Sequence, residues 1–476
     1  MMIKVAVVTL SLLFTTNAHA GDYQFERGYP TAETARQARA DSDFQRAVIA
    51  YRFWYPTVSV EGIFNGNRQI GLQDGKQMGI AAAGPRQVGF TLNSDTPYGS
   101  AVIDTSKGPF VIEVPAGPFI GLVNDHNQGW VLDIGLPGPD GGKGGKHLVL
   151  PPDYNGAIPG GFYVGRSKTY KNLIAIRALP IGGDAQRALN ALREIKIYPL
   201  NLGSKAAMVP IDTTSRSMDS SSLRWEDNIQ FWNVLYAIID SEPVVPNFLP
   251  MYGLLAELGI EKGKTFQPDD RMRKILERAA KIARDQMLVS AFDSDRPDRV
   301  NWPDRKWEWV GLDPGSAQFE TPWGMDLEAR DRWFAQAIVT SPAMFRRSSG
   351  AGSLYWMSVR DRSGAFLDGG KSYRLIIPQP VPAKLFWSVT AYDTKTRSQV
   401  QTDQDKAALR SLFELKDADR KKPVELYFGP SAPTGKERQW IKTAPGRGWF
   451  AYIRIYGPEA AAFDRSWKPG DFEAMK

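Results

Sequence analysis

Residues 32–64 read as helical at first, because Ala32–Phe53 carries Ala, Arg and Gln with few breakers among its apolar and polar positions. Pro56 lacks a backbone donor and is expected to end it. The pattern changes from 86 to 180. Short apolar runs (Val88–Leu92, Ser100–Asp104, Phe110–Val114, Ile120–Val123, Leu148–Leu150 and Asn172–Leu179) alternate with Gly, Pro, Asn and Asp turns. Strands separated by turn signals at roughly ten-residue spacing read as a β-sandwich or barrel. The Gly141–Lys146 run between two of them reads as a hairpin.

Helical spacing returns in the middle. Asp184–Lys196 follows Gly182-Gly183, and Leu223–Ile239 carries an aromatic and aliphatic face. Pro268-Asp269-Asp270 opens a third helix, in which Met272, Ile275, Leu276, Ala279, Ile282, Ala283 and Met287 recur at three and four. Its acidic start suits the helix dipole. Met325–Val339 predicts another helix, stopped near Ser341-Pro342. The linker-like stretch 293–323 holds Trp302, Trp307, Trp309 and Trp323, which either stack on flat ligands or plug one domain onto another.

Strand signals resume at Leu354–Val359, Tyr373–Ile377, Leu385–Tyr392, Val424–Phe428 and Trp449–Tyr456. On the third of these, Trp387, Val389 and Ala391 share the more apolar face, expected to be core, while Phe386, Ser388, Thr390 and Tyr392 share the other. The reading is a multidomain α+β protein with two antiparallel β-sandwiches joined by a helical segment. Its parts are a helical segment at 21–85, a first sandwich at 86–182, a mainly helical middle at 183–345 and a second sandwich at 346–476.

The first twenty residues stand apart. Lys4, the apolar run Val5–Phe14 and Ala18-His19-Ala20 have the form of a secretory signal peptide cleaved after Ala20. The mature chain is then expected to start at Gly21 and to be a soluble periplasmic or secreted protein. Cysteine is absent, which removes disulfides, thiol catalysis and cysteine-ligated metals together. The net charge of +7 is mild for 476 residues, and the basic stretch Arg271–Arg284 is interrupted by Glu277. It reads as a solvated helix face rather than a nucleic-acid or membrane contact. Self-association stays open.

Several chemistries fail on sequence. No G-x-S-x-G elbow and no H-E-x-x-H is present. His126 and His147 are the only histidines beyond the leader, too few for a three-histidine metal site in one chain. Gly141–Lys146 lacks the phosphate-loop spacing. No cofactor and no metal are expected.

Two polar clusters remain. The first is Asn93-Ser94-Asp95-Thr96-Pro97-Tyr98, where Asn and Asp before Pro close a turn on their own backbone or set a carboxylate, an amide and a phenol on a pocket rim. The second runs from Asn124 to Trp130 and on to Asp133. Asp125 beside His126 suggests a carboxylate-oriented imidazole, although neighbours on a strand face opposite ways. If loops at one sandwich end share a cavity, His126, Asp95 and Tyr98 are the catalytic candidates there. Asn93, Asp125, Trp130 and Asp133 are the ligand-binding ones. The leading expectation is binding of a small polar or aromatic molecule. A metal-independent hydrolase or lyase using Asp95, His126 and Tyr98 is the alternative, and a structural envelope protein a third.

At these motifs the chain resembles a known pairing. Residues about 45–180 resemble the domain of unknown function 1254 through Tyr55-Pro56, Asn93–Tyr98 and Leu148–Tyr154. Residues about 354–473 resemble the domain of unknown function 1214 through Gly364–Gly369, Phe386–Asp393, Tyr427–Pro430, Trp440–Thr443 and Arg454–Pro458. Lys421-Lys422-Pro423 stands where that family usually has an Asp-Gly hairpin. The resemblance implies two β-sandwiches, the second jelly-roll-like, joined by helices, and it implies no activity.

Overall fold

Helix Ala32–Gln69 is continuous through Pro56 in the computed structural model, which describes residues 23–312, 316–349 and 352–475. The leader with its Ala18-His19-Ala20 site lies outside the described residues. The helix does not end at Pro56 because its neighbours supply what proline cannot. Arg330 donates to the Arg52 carbonyl, which Pro56 leaves without its usual donor, at 3.4 Å. The Pro56 carbonyl accepts from Gln128 Nε2 at 2.8 Å. Residues from Phe53 to Val60 are buried on all sides, so packing offsets the lost bond.

Helix Asp270–Phe292 lies along it, capped by Asp269, whose carboxylate accepts from the Met272 N–H at 2.7 Å. Its buried stripe holds Met272, Leu276, Ala279, Ala283 and Met287, as the spacing predicts, with Ile282 left exposed. Helices Gln230–Ser241, Leu249–Glu257 and Leu327–Phe334 contribute to the same core. The N-terminal and middle helices therefore form one layer. Two of them are shorter than expected: Leu223–Ile239 yields a helix only from Gln230, and Met325–Val339 only Leu327–Phe334. Beyond Ala337 the backbone finds side-chain partners instead. The Val339 N–H donates to Gln128 Oε1 and the Thr340 N–H to Asn124 Oδ1.

In the first half a six-stranded sheet runs in the order Val209–Asp212, Gln77–Ala82, Pro97–Asp104, Lys171–Ala178, Phe119–Asp125 and Trp130–Gly135. A four-stranded sheet of Tyr163–Arg166, Gly145–Leu150, Phe110–Val114 and Lys196–Pro199 shares one core with it, through residues such as Ile80, Ile103, Ile112, Val149 and Ile174. Gln77–Ala82, Lys196–Pro199 and Val209–Asp212 come from outside the 86–182 stretch. The Gly-rich run is not a hairpin: it joins Trp130–Gly135 to Gly145–Leu150, which belong to different sheets. Asp140 pins that crossing by accepting from the Gly135 N–H at 2.8 Å.

The second half repeats the plan. A five-stranded sheet runs Glu308–Trp309, Ser353–Ser358, Trp449–Pro458, Ala383–Asp393, Ala408–Arg410. A four-stranded sheet runs Trp440–Lys442, Val424–Gly429, Tyr373–Ile377, Glu473–Ala474. Trp387, Val389 and Ala391 face the core between them, and Trp302, Trp307 and Trp309 plug it. Trp323 is the exception among the linker tryptophans, standing 95% exposed. The described residues form a mixed α+β protein, mostly sheet, with seven helices and no sheet closed as a barrel. Among them no helix is long and apolar enough to cross a membrane.

Candidate functional site

The outer face of the six-stranded sheet is lined with small side chains. Alternation turns Ile80, Ala101, Ile174 and Ile176 into the core and leaves Gly79, Ala81, Ser100 and Ala175 on the opposite face. Large residues there would meet helix Ala32–Gln69 and the second half directly. Small ones leave a cavity of about 200 Å³. Its walls come from the helical layer and from both halves: Ile63 and Asn67 of the long helix, Leu122 and Leu173 of the first half, Ile338 and Val339 of the irregular segment, and Tyr355 and Arg454 of the second half. The walls are predominantly apolar.

One part of the wall is charged. Arg177 and Arg454 both line the cavity and both are at least nine-tenths buried. Arg454 donates to the Thr91 carbonyl at 2.8 Å and to Thr390 Oγ1 at 3.2 Å, while its Nε has no partner. Its guanidinium lies 5.0 Å from the Tyr452 ring centroid and 5.3 Å from that of Tyr392. Arg177 meets the Tyr355 phenol. Tyr355 in turn is hydrogen-bonded to Ser353. Burial alone pushes the Tyr355 phenol up, but Arg177, the Ser353 hydrogen bond and Arg454 outweigh it and hold it below the ordinary value. Tyr98 and Tyr452 share the wall, and burial pushes both of them up.

Asp95 sits behind this wall as the bolt between the two halves. Its Oδ2 accepts from Ser388 Oγ at 2.7 Å and from the Tyr456 hydroxyl at 2.9 Å, and its Oδ1 has no partner. Asn93 closes the turn that presents it: Oδ1 accepts from the Asp95 N–H at 3.0 Å and Nδ2 donates to the Tyr98 oxygen at 2.5 Å.

The two polar clusters do not meet. Strands Pro97–Asp104 and Phe119–Asp125 are both antiparallel to Lys171–Ala178, so they run in the same direction. The Asn93–Tyr98 turn precedes the first of them, and the Asn124–Trp130 segment follows the second. Tyr98 is in register with Arg177 and Ile120 at one end, Ile103 with Asn172 and Asp125 at the other. Six residues at about 3.3 Å each put His126 roughly 20 Å from the Asp95 end. The expected grouping of His126 with Asp95 and Tyr98 in one cavity does not form.

His126 has a different setting. It is fully buried, with Nδ1 3.0 Å from Glu242 Oε1 and Nε2 3.0 Å from Glu61 Oε2. Burial drives its pKa down, but the two carboxylates outweigh burial and raise it. Asp125 accepts from the N–H groups of Asn127 and Gly129 at 2.9 and 2.7 Å, and burial pushes it up to about 6. Trp130 is 38% exposed. The polar excess from 124 to 130 works as a clamp. Asn124 exchanges two hydrogen bonds with the Thr340 backbone, and Gln128 ties Pro56 and Ser59 to Val339. Of the seven residues singled out from sequence, Tyr98 and Asp133 line the cavity. Burial pushes Asp133 up to about 6, with Ser341 and Arg346 acting against it. Among the described residues no group of three or more potential metal ligands is gathered.

Arg177, Tyr355 and Arg454 escaped the sequence reading because each lies in a run otherwise taken as apolar strand. A signal was present: a lone arginine inside a buried strand is almost never found without partners.

Fold and site together define a two-part α+β protein whose halves enclose an apolar chamber with a guanidinium pair in its wall. The halves match two family models: residues 78–199 the family described as "Protein of unknown function (DUF1254)", and residues 352–460 that described as "Protein of unknown function (DUF1214)". The N-terminal and C-terminal placement is the one that the Asn93–Tyr98 and Phe386–Asp393 motifs imply. No curated protein matches the sequence. The crystal structure of the VPA0106 protein from Vibrio parahaemolyticus is similar, with a TM-score of 0.55 at 17% identity, covering 91% of this chain and 100% of that one. It shows a shared fold. The crystal structure of an uncharacterized protein from Burkholderia cenocepacia is more distant, with a TM-score of 0.40 at 13% identity over 93% of this chain and 97% of that one.

Proposed function

We propose that the protein is exported to the periplasm and binds a small molecule in the chamber, polar at one end and apolar or aromatic along the rest. The observation that carries this reading is the cavity itself: about 200 Å³, walled by the long helix and both halves of the chain, mostly apolar, with the buried Arg177 and Arg454 in its wall. A void of this size left by small residues is costly unless something fills it. We also read each pair of sheets as a sandwich, the second jelly-roll-like, joined by the helical layer; the core that each pair shares supports this. The distance of roughly 20 Å between His126 and the Asp95 end favours binding over the hydrolase or lyase alternative.

Ala175→Phe tests the reading. Position 175 is at the centre of the small-residue face, so a phenyl ring would occupy the chamber. An environment-sensitive naphthyl dye should bind the natural sequence and lose most of its affinity for the variant, whose melting temperature should hold. Equal dye binding by both proteins would contradict a chamber site. For export, mass spectrometry of protein from its host should find Gly21 at the N-terminus; a retained Met1 would contradict it.

A further inference from the structure

We infer that the chamber is built for an organic carboxylate with an apolar tail, its head held by Arg177 and Arg454; this rests on the chamber reading above.

The argument begins with charge. Both guanidiniums are buried at the cavity wall, where an ion without a counter-charge is expensive. The charge of Asp95 acts on Arg454, but its Oδ2 is taken by Ser388 and Tyr456, and one carboxylate balances one of the two arginines. Arg410, beside the same turn, is already paired with Glu414 at 2.5 Å. Asp133, also on the chamber wall, is offset by Arg346. Arg216 lines the chamber too, with its guanidinium donating to the Ile70 carbonyl. The chamber thus carries an excess of one to two positive charges.

The bonding pattern points the same way. Arg454 Nε is buried and has no acceptor. Arg177 is hydrogen-bonded to the Tyr355 phenol and lies in the field of the Tyr98 and Tyr456 phenols, none of which carries a full counter-charge. Planar guanidinium forks match a carboxylate in geometry, and two of them with one acid already present suit a single negative charge. Elsewhere the wall is mostly apolar, and Leu122, Leu173, Ile338 and Val339 offer a tail apolar contact. An anionic head with an apolar body is the ligand that satisfies both parts of the lining.

The test compares octanoate with octanol, which share a chain and differ at the head, by calorimetry on the mature chain. Octanoate is expected to bind roughly ten- to a hundredfold more tightly, the range for hydrogen bonds to charged groups. Arg177→Gln should bring octanoate down to the octanol level and leave octanol binding in place, which also reports that the variant is folded. Octanol binding as tightly as octanoate to the natural sequence would overturn the carboxylate inference and leave the chamber reading standing. Binding of neither would overturn both. If Arg177→Gln does not fold, the comparison on the natural sequence still decides.

Discussion

Replacing Asp95 should cost stability and improve anion binding in the same protein. The carboxylate accepts from Ser388 and Tyr456 across the junction of the two halves, at 2.7 and 2.9 Å. Hydrogen bonds to charged groups contribute roughly 1.5–3 kcal/mol each. Removing one partner of a buried charge set costs about 3–5 kcal/mol, because the other charge is stranded. Asp95→Ala deletes both bonds and leaves Arg454 with less counter-charge, so a loss of about 3–5 kcal/mol is expected. Asp95→Asn keeps the shape and an acceptor oxygen and should lose roughly half as much. At about 2–4 °C per kcal/mol for a cooperative unit of roughly 150–250 residues, about the size of one half of this chain, the alanine variant should melt about 6–20 °C lower. The affinity of the asparagine variant for octanoate should rise, since a negative charge beside the guanidiniums has gone. Calorimetric melting and binding titrations check both halves of the statement. An alanine variant that melts with the natural protein would refute the bolt. An asparagine variant with unchanged or weaker octanoate affinity would refute the shared electrostatics.

Other substitutions probe separate parts of the account. Trp387→Ala empties a core position and should cost about 3–5 kcal/mol in chemical unfolding; an unchanged midpoint would remove Trp387 from the core. In an ultraviolet titration one phenol should ionise below the ordinary 10.0, and Tyr355→Phe should abolish that early phase while the phases above it persist; a titration identical in the variant would contradict the arginine field. His126 binds its proton more tightly folded than unfolded, so its contribution is complete below about 6.5 and is lost as pH rises through the raised value. Glu61, lowered in the fold despite the opposing effect of burial, contributes above about 4.5 and is lost in acid. Asp125 and Asp133, both raised to about 6, lose their contribution as pH rises from about 3.8 to about 6, below the His126 window. The alkaline fall in melting temperature should therefore shrink, not vanish, in His126→Gln, and an equal fall in both proteins would count against the buried cluster.

Periodicity and turn chemistry carried much of the architecture. Helix Asp270–Phe292 was legible because its apolar residues repeat at three and four behind an aspartate cap. Strands Phe110–Val114 and Tyr373–Ile377 were legible because their ends coincide with turn residues. What failed was whatever depends on distant partners. Pro56 is a helix breaker by its own chemistry and is rescued by Arg330, 274 positions along the chain. Val339 and Thr340 leave the helical path because Gln128 and Asn124 hold their backbone. The polar residues of 124–130 looked like surplus and are that clamp.

The site failed for a related reason. Whether two loops share an end of a sheet depends on strand direction, which alternation along one strand does not encode. Asn93–Tyr98 enters its strand while Asn124–Trp130 leaves another running the same way. The cavity itself arises from Gly79, Ala81, Ser100 and Ala175 lying side by side on three strands, and its charge from Arg177 and Arg454 meeting across the two halves.

The most direct measurement is a crystal structure of the protein grown with saturating octanoate. The account predicts density for the chain in the chamber beside Leu122 and Leu173, with the carboxylate between Arg177 and Arg454. A chamber holding only water, or octanoate bound elsewhere on the protein, would contradict it.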